Sequence, residues 1–317
     1  MNFIQNNDLG TILNFYRTKK KDIFTDFEQL QVFLKNYNQS PVIGKSIRII
    51  GMRRSGNHAI INWLLGQVPK DTIFLNDLKP GLRQFRQGRN TRFFKKLRKV
   101  LEQNYFKDIV IHSYEDIELS SLSNPYYNLM RLIYLGKAQK NIDILILRDP
   151  YNTIASRIKA TQIESDYTLA PMKRWSAFKD KNDTNYRDFY YKDFMMVENP
   201  HLTPLDLWIQ YAKEFIGETN FLKTKICLNF NRWFSDSLYR QELAEELQVN
   251  FTDSNLNKVA TYGKGSSFDG NIYDGNAQTM NLLERWQYYR HDHDYLSILK
   301  SKELEYYSQK IFNFVPF

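Results

Sequence analysis

The stretch NIDILILRDPYNTIASRI, residues 141–158, constrains the fold more than any other part of the chain. A continuous apolar, β-branched run ends on a charged turn and passes into a helical spacing of apolar residues. A run of that kind is buried on both faces, which is the condition of a strand in a parallel sheet. The pattern recurs at SIRIIGMRRSGNHAIINWLLG (46–66), where SIRII reads as a strand and NHAIINWLL as a helix. TIFL (72–75), DIVIHSYED (108–116) and KICLNF (225–230) read as further strands. LDLWIQYAKEFI (205–216) and DSLYRQELAEELQV (236–249) read as helices, and MNLLERWQYYRHDHDYLSIL (280–299) as the start of a closing helix. Strands alternating with helices predict an α/β fold, a mainly parallel sheet flanked by helices. Ligands in such sheets sit beyond the carboxyl ends of the strands.

No internal repeat or low-complexity linker divides the 317 residues, and a single α/β domain over 1–317 is expected. Residues 1–40 read as a helical extension, with Phe24, Phe27, Leu30, Phe33 and Leu34 at helical spacing. Residues 161–200 are polar, aromatic and irregular, and are expected as loops and short helices over an active face. Mean hydropathy is negative, and no run reaches the eighteen or so apolar residues of a membrane span. The N-terminus lacks the apolar core of a secretion signal. Cys227 is the only cysteine, so intramolecular disulfides are excluded and a cytoplasmic setting is expected. Its place inside a strand makes it a core residue rather than a nucleophile.

The net charge of +9 is local. Residues 83–99 carry eight lysines and arginines and no acid, so the rest of the chain is close to neutral. The overall balance is therefore no argument for a nucleic-acid partner. The basic segment is either a solvated face or a surface beside an anionic acceptor.

Gly51 to Gly56 keeps the G-x-x-x-x-G spacing of a phosphate loop, which turns backbone N–H groups toward an anion at a helix start. Ser55 and Asn57 can donate side-chain hydrogen bonds or cap the helix. A nucleoside-triphosphate loop would continue with Lys and Ser/Thr, the latter for magnesium. Asn57 and His58 stand there instead, and the cations precede the glycine at Arg53 and Arg54. An ordinary strand–turn–helix joint with two surface arginines is the plain alternative.

The RRSGN arrangement resembles the 5′-phosphosulfate loop of sulfotransferases that use 3′-phosphoadenosine 5′-phosphosulfate (PAPS). A second motif of that family is an Arg at a strand end with a Ser eight residues on, and LRDPYNTIAS supplies Arg148 and Ser156. The resemblance implies that this pair holds the 3′-phosphate. A structural Arg–Asp pair at a helix start is the alternative reading of the residues alone. YGKGSSFDG is a looser match to the family's basic glycine loop, giving Lys264, Gly265 and Ser266. The motifs span roughly residues 45–290 in order. Two departures stand out: Arg54 replaces a lysine that many members place near the leaving-group oxygen, and Asn57-His58 replaces the usual Thr pair.

The resemblance implies sulfuryl transfer from PAPS to a hydroxyl or amine of a small-molecule or carbohydrate acceptor, in a P-loop-like fold and with no metal. Arg53, Arg54, Ser55, Gly56, Asn57 and His58 would bind the 5′ end. Arg54 would stabilise charge on the leaving phosphate. His112, at a strand end between the two motifs, is the expected base, with Glu115 in reserve. Consecutive residues His291–Asp294 face several directions on a helix and are read as a solvated end, not a metal site. A P-loop kinase and a non-catalytic polyanion-binding protein are the competing readings.

Overall fold

The computed structural model describes residues 43–70, 72–78, 106–164, 202–261 and 265–317, together with Phe27, Leu30, Gln31 and Leu34. The basic segment 83–99, residues 165–200, Lys264 and most of the expected N-terminal helix lie outside the described residues. Of that helix, Phe27 and Leu34 are helical and exposed, and Leu30 is half-buried against the core.

Five strands form one sheet: β1 (Ile43–Gly51), β2 (Ile73–Leu75), β3 (Lys107–Glu115), β4 (Ala138–Leu147) and β5 (Lys225–Asn229). Their order is β2-β3-β1-β4-β5, and every pairing is parallel. The α/β architecture with a parallel sheet flanked by helices is therefore as the sequence pattern predicts. β1 is central, and the chain moves outward from it in both directions, which opens a crevice at the carboxyl edge.

Nine helices are described around the sheet. They are α1 (Asn57–Gln67), α2 (Leu119–Ser123), α3 (Pro125–Leu135), α4 (Pro150–Glu164), α5 (Pro204–Phe215), α6 (Phe230–Ser235), α7 (Ser237–Leu247), α8 (His293–Leu299) and α9 (Lys302–Phe312). Residues of α1, α6 and α7 cover one face through Ile60, Trp63, Trp233 and Leu243, packed against Ile47, Ile49, Ile144 and Ile146. On the other face, Tyr134, Tyr151, Ile154, Trp208, Tyr295 and Leu304 pack with Ile50, Val110 and Leu145. Each such side chain contributes roughly 1.5–3 kcal/mol by leaving water.

Local chemistry sets the helix ends. Thr203 and Asp206 form a reciprocal capping box before α5, with Pro204 in the first turn. Asn124 caps α3 ahead of Pro125. The expected closing helix is corrected to three pieces: a 3-10 segment Arg285–Tyr289, then α8 and α9. Asp292 and Ser301 accept from Tyr295 N and Leu304 N, and each starts a new helix where a continuous one was expected.

Candidate active site

Sheet register collects the site. Gly51 of β1 lies opposite Glu115 of β3 and Ile146 of β4, and Leu147 lies opposite Asn229 of β5. Residues that follow these positions therefore emerge at one edge, although the chain separates them widely. A cavity of about 490 Å³ occupies that edge. Its walls include Arg53, Arg54, Gly56, His58, Glu115, Arg148, Ser266 and Arg285, with an apolar side of Phe230, Trp233, Phe234 and Leu256.

The first loop is braced by its own side chains. Ser55 Oγ donates to Met52 O (2.7 Å) and Asn57 Oδ1 (3.0 Å). Asn57 Nδ2 donates to Met52 O (3.0 Å) and Glu115 Oε1 (2.9 Å). Ser55 is thus buried within the loop, while Asn57, bonded in the same way, also lines the cavity. Gly56 has φ 92°, and a Cβ there would fall 2.0 Å from the Phe230 ring. That position requires glycine twice over, for conformation and for space. At the start of α1, Ala59 N and Ile60 N both donate to Gly56 O (3.0 and 3.2 Å).

Beside the loop lies a network of acids and arginines. Buried Asp116 accepts from Arg53 N (3.0 Å) and from Arg157 Nη1 (2.7 Å). The Arg53 side chain lies 3.4 Å from Asp77 and 3.6 Å from Glu115. Burial, with the charge of Asp116 adding to it, raises the Glu115 carboxyl above its ordinary pKa against the pull of Asn57, Arg53 and Arg54. His58 Nε2 is 3.8 Å from Glu115 Oε1. Burial, helped by Arg54 and Arg53, lowers the His58 imidazole to about 4, so it is neutral at pH 7.

The second motif joins the first directly. Arg148 Nη1 donates to Arg54 O (3.0 Å) and Ser156 Oγ (3.2 Å), and Nη2 donates to Leu282 O. Trp208 Nε1 fixes the Arg148 carbonyl (2.9 Å), and the guanidinium lies 5.2 Å over the Phe230 ring. Arg54 Nη1 donates to Gly265 O (3.2 Å), which brings in the third loop. Ser266 sits in that loop, bridged to Gly270.

Arg285 escaped the sequence reading. Its Nη1 donates to Ser156 Oγ (3.2 Å), and its Nη2 donates to Ser266 Oγ (2.7 Å) and Asp269 Oδ2 (3.2 Å). Burial and the neighbouring Arg285 push Arg148 down to about 9; burial, with Arg54 opposing Asp269, pushes Arg285 down to about 10. Both stay protonated at neutral pH, and the lowering reflects burial and repulsion that an anion would relieve.

The placement of His112 is a correction. Glu115 closes β3, so His112 lies three residues inside the strand, about 10 Å below the edge at strand rise. It is fully buried on the opposite face from Glu115 and does not line the cavity. Hydrogen bonds join its Nε2 to Ser46 Oγ (3.1 Å) and its Nδ1 to Tyr114 OH (3.2 Å). Burial and the charges of Arg131 and Arg48 hold it neutral. Half-buried Cys227 lies on β5, its thiol pushed by burial to about 11. In the His291–Asp294 run, Asp292 caps α8, and among the described residues no group of His, Cys, Asp and Glu is arranged to hold a metal.

No protein-family model and no curated protein sequence matches the chain. Among solved structures, it is similar to mouse sulfotransferase SULT7A1 complexed with PAP, at 11% identity and a TM-score of 0.43, over 84% of this chain and 89% of that one. It is also similar to the sulfotransferase domain from the curacin biosynthetic pathway, at 15% identity and a TM-score of 0.37, over 82% of this chain and 97% of that one. Both of these solved chains are named as sulfotransferases.

Proposed function

We propose that the chain is a PAPS-dependent sulfotransferase acting on a hydroxyl or amine of a small-molecule or carbohydrate acceptor. The observation that carries this is the bond from Arg148 Nη1 to Arg54 O, which makes two arginine-based anion pockets parts of one cavity. The residues fit such a nucleotide. A glycine-bounded helix start with Arg53 and Arg54 offers donors to a 5′ phosphate group. Arg148, Ser156 and Arg285 crowd cations at a second point, as a second phosphate requires. Phe230, Trp233, Phe234 and Leu256 form an apolar wall suited to a flat base between the two.

When bound, PAPS supplies a sulfuryl group on a phosphate anhydride. Arg54, with Arg53, stabilises charge that develops on the phosphate oxygen; a single aimed donor of this kind is worth about 3–4 kcal/mol. Glu115, the reserve candidate, replaces His112 as the proposed base. It lines the cavity, and its raised pKa brings it nearer the range in which a carboxylate takes a proton effectively. Asn57 Nδ2 holds it in position. No metal has a part in this scheme. Gly265 and Ser266 adjoin the second pocket, and Lys264 is proposed to join them there. Sulfuryl transfer in a single cytoplasmic α/β domain completes the proposal; among the described residues no helix is long and apolar enough to cross a membrane.

Calorimetric titration tests it. The protein should bind 3′,5′-diphosphoadenosine at least about tenfold more tightly than 5′-AMP, the worth of one charge-assisted hydrogen bond. Equal affinity for the two, or tight magnesium-dependent binding of ATP, would overturn the reading. An acceptor screen with labelled sulfate donor would then identify the substrate.

A further inference from the structure

We infer that Arg157 is a positioning residue of the first loop: together with Asp116 it clamps the backbone of Arg53 and so fixes the conformation from which Arg54 enters the cavity. The inference rests on the nucleotide reading above and gives a role within it to a buried ion pair that no sequence motif marks.

Ser55 N donates to Met52 O (3.1 Å), which closes a four-residue turn with Arg53 and Arg54 at its centre. Arg54 has φ 67°, a sign that Arg53 does not share. A positive φ at the third place of a turn is ordinarily left to glycine, because a Cβ is crowded there. The alternative turn, with a negative φ at that place, is reached by flipping the central peptide, the one that carries Arg53 O. An arginine in this position therefore needs a contact that keeps that peptide from flipping.

Arg157 supplies the contact. Its Nη1 donates to Arg53 O (3.2 Å) and to Asp116 Oδ1 (2.7 Å), and Asp116 Oδ1 accepts from Arg53 N (3.0 Å). One ion pair thus grips the peptide groups on both sides of the Arg53 Cα. Beyond the turn, Arg148 Nη1 donates to Arg54 O (3.0 Å). A flip would break the bond to Arg53 O, and water is kept from replacing it: Arg157 is 3% exposed and Asp116 0%.

The ion pair is anchored at both ends. Asp116 follows β3, and its N–H donates to Gly51 O (3.2 Å) at the end of β1. Arg157 stands on α4 one residue after Ser156, whose hydroxyl meets Arg148 (3.2 Å). Successive residues of one helix therefore reach both proposed phosphate pockets, Ser156 the second and Arg157 the loop of the first. The backbone of Arg54 is set relative to the second pocket through α4 as well as through Arg148.

Calorimetry with 3′,5′-diphosphoadenosine and with 3′-AMP, which lacks the 5′ phosphate, tests this on wild type, Arg54→Gln, Arg157→Gln and the combination of the two, with melting curves as the measure of folding. Arg157→Gln should weaken the diphosphate about tenfold and 3′-AMP by less than about twofold. In Arg54→Gln, which has no guanidinium to position, the same change should cost less than about threefold on the diphosphate, a failure of additivity that general loosening of the fold would not produce. Arg157→Gln leaves Asp116 buried without its partner, so a second variant combines Arg157→Met with Asp116→Asn. No charge is then left unpaired, residue 116 still accepts from Arg53 N, and Arg53 O loses its donor. This variant should reproduce the loss of about tenfold. Unchanged diphosphate affinity in either folded variant, equal losses on both nucleotides, or a loss that simply multiplies that of Arg54→Gln overturns the inference. A wild type that does not prefer the diphosphate to 5′-AMP overturns the nucleotide reading instead.

Discussion

Arg53 and Arg157 stand among carboxylates, whereas Arg148 and Arg285 stand against each other. The first pair has Asp116, Asp77 and Glu115 within 4 Å of its guanidinium nitrogens, and buried Asp116 also accepts from the Arg53 backbone. The second pair shares a neutral hydroxyl, with Asp269 as its ion-paired acid. Side chains of one type at one sheet edge thus do different work. Arg157, balanced by buried Asp116, braces the first loop, and Arg53 is proposed to meet the 5′ phosphate from beside those acids; Arg148 and Arg285, attracted by Asp149 and Asp269 but repelling each other, are proposed to meet the second phosphate.

The largest test of this contrast is Glu115→Gln, which keeps the acceptor for Asn57 Nδ2 and removes the proposed base. Turnover should fall about 10²- to 10⁴-fold while nucleotide affinity measured by calorimetry stays near wild type. Retained turnover would move the base elsewhere. Next is Asp116→Ala, which strips a buried Arg157 of its partner. Thermal or denaturant unfolding should register a loss of about 3–5 kcal/mol, because an uncompensated buried charge remains. Arg148→Ala should cost the ligand-free protein less than that, since it also relieves repulsion with Arg285; an equal loss would erase the distinction between the regions.

A smaller effect is pH-dependent. Folding holds His58 neutral down to about 4, while an unfolded histidine takes a proton near 6.5. Between these values the unfolded chain binds more protons, so this contribution is present above pH 6.5 and is lost as pH falls toward 4. It amounts to at most on the order of 3 kcal/mol. Buried His112 acts in the same direction. The difference between unfolding of wild type and His58→Gln across that window isolates the His58 share, and parallel curves would refute it. The smallest effect expected is in affinity: Arg148→Ala should weaken 3′,5′-diphosphoadenosine about tenfold to hundredfold and 5′-AMP little.

Much of this site could be read before any coordinates. The apolar run 142–147 ends at Arg148, and Ser156 two turns into the following helix does meet it. The cause is local, since helix geometry fixes that spacing. His112 lies inside the strand and not at the expected strand end, because alternation reports which face a side chain takes but not how far the strand continues. β3 runs on to Glu115, and the reserve candidate reached the edge. Ser55 and Asn57 have the residue types of ligand donors, yet their bonds go to Met52 and Glu115. Arg285 had no legible signal, being 129 residues from Ser156 in an aromatic stretch that reads as helix.

By itself the sequence determined the strand–helix alternation, the parallel sheet it requires and the glycine turn at Gly56, because each depends on neighbours a few residues apart. Only the tertiary structure decided which arginines lie beside acids and which lie beside each other. Those pairings follow from strand register and from Asn152 tying the Arg285 segment to α4, and they join residues that local propensity cannot relate. Electrostatic balance depends on distance in space, and folding sets that distance.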